Sequence, residues 1–203
     1  MEPRNPASLS AVIALIIVGA VVLLLLLFLA VSYNRFVSQR NLVAESWSQV
    51  DVELQRRHDL IPNLVETVKG YAAHEQQTLA SVTAARAGAE DAKTADLDTR
   101  AAAENVLSKA VGGLVAVAEN YPDLKASANF LQLQSELVDT EDRIAAGRRF
   151  YNGNVRAINT RVEAFPSSLI AGWFHFAKAS YFPLDDPAAR SAVQVNLGGN
   201  AAS

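Results

Sequence analysis

The chain has 203 residues and a formal charge of −3, from 18 Lys+Arg against 21 Asp+Glu, and half of it is apolar. Zero cysteine excludes disulfides, thiolate metal sites, cysteine nucleophiles and acylation of a cysteine. The near-neutral charge argues against a dedicated nucleic-acid binder, and 10 Gly with 7 Pro argue against a turn-rich all-β fold.

The first element is a membrane anchor. No residue between Arg4 and Arg35 is charged, and the core of that stretch, Leu9–Val31, carries five leucines in a row at Leu23–Leu27. As a helix it extends about 34 Å at 1.5 Å per residue, enough for a hydrocarbon core of about 30 Å. A helix is required because lipid offers the backbone no hydrogen bonds. The rival is a cleaved signal peptide, for which Ala30-Val31-Ser32 is a small-x-small triplet. The apolar stretch is longer than the usual roughly 7–15 residues, and the basic head is a single arginine. The flanking charges are Arg4 and the amino group on one side, Arg35 and Arg40 on the other. They lean slightly toward a cytoplasmic main domain.

From Tyr33 to Phe165 only Pro62 and Pro122 interrupt a pattern of apolar residues every three or four positions. Val43, Trp47, Val50 and Leu54 mark a first helix. Pro62 is then placed to open a second, through Leu64, Val65, Val68, Tyr71, Leu79 and Val82. The rhythm also runs across Pro62, so one kinked continuous helix is the open alternative. Gly88–Thr94 reads as a polar connector, after which Asp96 and Asp98 supply negative charge to the start of a third helix. Its apolar positions are Leu107, Val111, Leu114 and Ala118.

Asn120-Tyr121-Pro122-Asp123 is the sharpest turn signal in the chain, and Pro122 opens a fourth helix. Its expected length is about 42 residues, or about 63 Å. Its seam runs Phe130, Leu133, Leu137, Thr140, Ile144, Gly147, Tyr151, Val155, Ile158, Val162, Phe165, a mean step of 3.5. That is the heptad-like spacing of coiled-coil packing. Pro166-Ser167-Ser168 stops the helix. The apolar piece Leu169–Phe182, with Trp173, Phe174, Phe176, Tyr181 and Phe182, is expected to cap the bundle core; contact with the membrane surface or another protein is the alternative. Four helices and three short connections predict an all-α fold: an N-terminal transmembrane helix followed by an antiparallel up-and-down four-helix bundle.

No catalytic, cofactor-binding or metal-ligating residue emerges. His74-Glu75 lacks the second histidine of a zinc helix, and His58, His74 and His175 fall at no i, i+3 or i+4 spacing. Glu-x-x-His, the mark of a di-iron bundle, does not occur. All three histidines read as surface or cap residues. Gly112-Gly113 has no lysine-serine pair after it and reads as a close helix contact. Glu136, Glu141, Asp142, Arg143, Arg148 and Arg149 read as solvated i, i+4 pairs, with a partner-binding stripe as the sharper alternative.

Several ordered blocks resemble the LemA family. They begin with Tyr33-Asn34, Arg40-Asn41-Leu42-Val43 and Ser46–Arg57. The most recognisable is Asp59-Leu60-Ile61-Pro62-Asn63-Leu64-Val65-Glu66 running on to Ala72, then His74-Glu75. Glu119–Ala126 follows, and then Thr140–Ala145, Arg148–Asn152 and Phe165-Pro166-Ser167. Asp142 stands where asparagine is usual and Gly147 where a larger residue is common.

The resemblance implies a bacterial inner-membrane protein with a short outer N-terminus, one span and a cytoplasmic four-helix bundle. It brings no established activity, cofactor or catalytic residue. One branch of the family is associated with magnetosome membranes, and others sit in genomes beside membrane proteases. The expected organisation is a tail at 1–8, a transmembrane helix at 9–32, a LemA-like bundle at 33–182 and a flexible tail at 183–203. The expected function is a non-enzymatic scaffold or adaptor. Its partners would be the bilayer, through residues 9–32, and membrane-associated proteins, with a homo-oligomer open and no nucleic acid. A bundle-core metal protein or enzyme, and a periplasmic envelope-stress sensor, are the competing readings.

Overall fold

The structure, a computed structural model, describes residues 6–183, and no strand occurs among them. The tails expected at 1–8 and 183–203 therefore lie outside the described residues, apart from 6–8 and Pro183. The helices are α1 Pro6–Tyr71, α2 Gln76–Asp91, α3 Leu97–Ala118, α4 Pro122–Lys125, α5 Ala128–Glu163 and α6 Ser167–Trp173, with a 3-10 turn at Ala92–Thr94.

α1 is a single helix of 66 residues that keeps Pro62 inside it, so the continuous alternative holds. A proline lacks the N–H that would reach the carbonyl four residues back. That carbonyl belongs to His58, and it accepts instead from the Arg86 side chain of α2, at 2.8 Å. The orphaned acceptor is satisfied from a neighbouring helix, as buried carbonyls must be. From Val12 to Phe28 every α1 side chain is exposed, and this part is long and apolar enough to cross a membrane. α3 passes the same length test, but its inward face is buried in a core.

The chain divides into two compact units: one takes α1 as far as Gln49 together with Phe150–Tyr181, the other holds Val50–Arg149. In the second unit, the buried positions of α1 step Val50, Leu54, Arg57, Ile61, Leu64, Val68. Those of α3 step Arg100, Glu104, Leu107, Val111, Leu114, Ala118. Leu79, Val82 and Ala89 come from α2, and Phe130, Leu137, Thr140 and Ile144 from α5. Alternating steps of four and three keep one face of each helix turned inward.

Three boundaries differ from expectation. Gly88–Asp91 belongs to α2, and only the 3-10 turn and its flanks connect to α3. Asp96 caps α3, accepting from the Thr99 N–H at 2.9 Å, which satisfies one of the free donors of the first turn. Pro122 opens not the long helix but the four-residue α4; α5 starts at Ala128 and runs 36 residues. Leu124 and Phe130 both enter the same core. Six residues apart, they would stand about 120° apart around one helix, and the break between α4 and α5 lets both turn to it. At the far end α5 stops at Glu163, and Phe165 is 82% exposed rather than on the seam. The residue before a proline disfavours helical backbone, and Pro166 follows.

In the first unit, Phe36 of α1 packs with Ile170 and Ala171 of α6, and Leu29, Val162 and Phe176 pack against them. Trp47 lies against Tyr151, ring centroids 5.4 Å apart. α6 ends in a Schellman-type turn. The Phe176 N–H donates to the Ala171 carbonyl at 2.9 Å, and His175 between them takes a left-handed φ of 57°. That turn folds the Phe176 ring onto Phe36, stacked at 4.6 Å. Within this unit the expected aromatic cap is thus realised only by Phe176, while Trp173, Phe174 and Tyr181 stay exposed; Phe182, which is buried, belongs to the second unit.

Candidate functional site

The most unusual chemistry of the second unit is a charged layer inside its core. Arg57 occupies a seam position of α1 and Glu104 one of α3, and both side chains are fully buried. The Arg57 guanidinium donates to Glu104, to Glu141 Oε1 of α5 at 2.6 Å and to Ser108 Oγ of α3 at 2.6 Å. His58 is buried beside it. Its Nδ1 lies 2.9 Å from Glu90 Oε2 of α2 and its Nε2 3.1 Å from Glu104 Oε1. Earlier on α1, Asp51 pairs with Arg100, and Gln55 accepts from Lys93 at 2.7 Å. Every one of the helices α1, α2, α3 and α5 therefore supplies a member.

Burial opposes a charge on His58, but the hydrogen bonds to Glu104 and Glu90 and the Glu104 charge outweigh it. Its pKa is raised even against the repulsion of Arg57. Burial likewise opposes ionisation of Glu104, and the His58 hydrogen bond with the Arg57 charge overcomes it, so its pKa is lowered. The hydrogen bond to His58 lowers Glu90 as well. A protonated imidazole donating to both carboxylates satisfies all three groups. Such a layer is closed chemistry. Glu104 is engaged by Arg57 and His58, and no group of three His, Cys, Asp or Glu among the described residues is disposed to hold a metal ion. What a buried ion set can do is penalise every helix register that leaves one charge alone.

Beside the layer, α3 and α5 leave a groove of about 480 Å³. Val111, Val115, Leu137 and Val138 form its apolar walls, and Ser108 and Glu141, both partners of Arg57, lie at its polar end with Asp142.

Three sequence expectations need correction. His58 is a buried member of the layer, not a surface histidine, because two carboxylates face it from α2 and α3. His74 is exposed in the turn before α2, and His175 is exposed after α6. Gly112 and Gly113 are not a close helix contact; nothing lies within 4 Å of where their Cβ atoms would be. The α5 charges are not simply solvated i, i+4 pairs either: Glu141 bonds Arg57, Arg143 reaches Glu53 of α1 at 3.6 Å, and Arg148 is buried. The signal for the layer was present. Continuing the α3 seam back from Leu107 by three and then four reaches Glu104 and Arg100, and Arg57 falls three after Leu54 and four before Ile61.

The LemA family model matches residues 46–197. Magnetosome proteins MamQ 1 and MamQ 2 of Paramagnetospirillum magneticum are each 27% identical over 203 aligned residues, covering 88% of this chain and 73% of theirs. Protein LemA of Metamycoplasma hominis is 26% identical over 141 residues, covering 68% of this chain and 63% of its own. With the exposed apolar start of α1, these likenesses mark a membrane-associated helical protein.

Proposed function

Because the chain belongs to the LemA family, we propose that it is a single-span bacterial inner-membrane protein that presents a four-helix bundle as a non-enzymatic scaffold for membrane-associated partners. The observation that carries this reading is the continuity of α1. One unbroken helix supplies both the bare apolar stretch and the buried row Val50, Leu54, Ile61, Leu64, Val68. Anchoring confines the bundle to two dimensions and raises its effective concentration toward other membrane proteins. The buried charged layer supports a structural role for the core, since its charges are paired with one another. The groove between α3 and α5 is the face we assign to a partner: apolar walls with Glu141 and Asp142 at one end suit an apolar helix carrying a cation. Arg35 and Arg40 after the span favour a cytoplasmic bundle.

The test is a photo-crosslinking residue at Val138, together with a proximity-labelling enzyme at the C-terminus, both in the full chain in intact cells. Membrane proteins labelled from the cytoplasmic side, with crosslinks lost on Asp142→Lys, are the expected result. Labelling confined to soluble periplasmic proteins would put the bundle on the other side. Crosslinks indifferent to charge at Asp142 would remove the groove from the account.

A further inference from the structure

The apolar stretch of α1 does not end where the protein body begins. From Val12 onward Leu29 is the first α1 side chain to be covered, and it lies two residues inside the end of that stretch at Val31. It packs against the cluster of Phe36 with Ile170 and Ala171 of α6. Ser32, one helical turn on, is buried too. α6 is therefore fastened to α1 at the level where the charge-free run gives way to Arg35, which is about 6 Å beyond Val31 along the axis.

The face of α6 turned away from that cluster is apolar. Leu169 and Trp173, one turn apart on it, are 60% and 74% exposed, and Phe165, two residues before its start, is 82% exposed. Phe174 continues the patch and lies 4.9 Å from the ring of Tyr33, which is itself exposed. Cations sit on the other flank: the Arg40 guanidinium lies over the Phe176 ring at 6.0 Å and Arg161 over Phe36 at 5.8 Å. Water is a poor neighbour for four large apolar side chains on seven residues of helix and its flanks. Tryptophan and tyrosine, with an apolar body and one polar atom, collect at the level of lipid headgroups, with lysine and arginine reaching outward.

We infer that α6 is a second, non-spanning membrane contact, with Phe165, Leu169 and Trp173 seated in the interfacial zone of the same bilayer that α1 crosses. The occupant of the patch is thus lipid rather than protein, because α6 is held against the end of the span itself. The contact would fix the tilt and rotation of the α1 span, since a helix anchored only along its axis is free to turn. This inference rests on the single-span reading.

The two native tryptophans make the test direct. The full chain is reconstituted in vesicles of phosphatidylcholine and phosphatidylglycerol whose acyl chains are brominated just below the esters. Trp47→Phe leaves Trp173 as the sole reporter. Trp173→Phe leaves Trp47, about 24 Å along α1 from Val31, as the reference. A third protein lacks both and carries Leu25→Trp as a reporter of the span. The expected result is emission from Trp173 quenched by the lipid at least about twice as strongly as that from Trp47, and shielded from aqueous iodide. Equal quenching of the two, with Leu25→Trp quenched, would overturn the inference and leave the span intact. Trp173 shielded from iodide yet untouched by bromine would mean that protein covers the patch, and would overturn it as well. Failure of Leu25→Trp to be quenched would remove the span, and this inference with it.

Discussion

The two units close their cores in opposite ways. Around Phe36 the first unit packs rings and aliphatic chains and, among the described residues, buries no charged side chain; Arg40 and Arg161 lie over the faces of the rings. Around Arg57 the second unit places a guanidinium and a carboxylate where a heptad would put leucine, with an imidazole beside them. Apolar closure is tolerant, because contacts of about the right size can be exchanged with small losses. Ionic closure is intolerant, because removing one partner leaves another charge buried and alone. The comparison predicts where the molecule is fragile, and hydrogen exchange of the full chain in lipid reads each unit separately.

The largest difference should come from Glu104→Ala. It leaves Arg57 and His58 facing each other in the second unit without their shared carboxylate. The expected loss is about 3–5 kcal/mol, read as collapse of protection in α2 and α3 with the first unit unchanged. Arg57→Met together with Glu104→Leu should restore most of it, since a well-packed apolar pair can replace a buried ion pair. A Glu104→Ala protein with full protection would mean that the layer is not closed in solution.

Apolar seam positions should come next. Ile144→Ala removes a fully buried side chain and should cost about 2–5 kcal/mol, whereas Arg149→Ala, at an exposed site, should cost a few tenths. The reverse ranking would assign the wrong face of α5 to the core.

Acidity should separate the units further. The raised pKa of His58 means that its contribution is complete below the ordinary histidine value of 6.5 and is lost as pH rises through the higher folded value. The lowered pKa of Glu104 means that its contribution is complete above the ordinary 4.5 and is lost as pH falls through the lower folded value. Protection of the second unit should therefore decline on the alkaline side of 6.5 and again on the acid side of 4.5. His58→Gln should abolish the alkaline decline, with Arg57, Glu104, Glu90 and Arg86 still in place around it. An alkaline decline that survives His58→Gln, or that appears equally in the first unit, would break the contrast.

Much of this contrast could be read from spacing, and what could not has a physical reason. The fourth helix and its core face follow from apolar repeats, and Leu137, Ile144, Tyr151, Val155 and Ile158 are buried as their step requires. The layer escaped because a search for apolar residues skips a seam position filled by arginine or glutamate. Pairing of Arg57 with Glu104 joins residues 47 apart in sequence, and no local pattern reports that. Continuity through Pro62 was undecidable for the same reason: its cost is offset by Arg86, on another helix. The exposed apolar side of α6 was legible only as aromatic content, because exposure depends on where Ile170 and Ala171 find their partner.

Gly147 tests the smallest term, inside the intolerant unit but away from its charges. It sits on the α5 seam, and a Cβ there would meet Val50 Cγ2 at 3.1 Å and Val50 Cα at 3.9 Å. Alanine gains about 1 kcal/mol of helix propensity over glycine. Against that stands overpacking, which in a rigid contact costs about 1–3 kcal/mol. Here the closest atom is a side-chain methyl, but it belongs to a β-branched residue with few rotamers to choose from, and Val50 is itself buried. The Val50 backbone is at ordinary contact distance, so α1 need not move by more than a few tenths of an ångström. The two terms should nearly cancel, leaving Gly147→Ala about 0–1 kcal/mol less stable by exchange in α5. Adding Val50→Ala to it should remove the clash, so the double variant should lose less than the sum of the single losses. Strict additivity would mean that these two helices do not touch at Gly147, and the close approach that lets a glycine interrupt the seam would need another cause.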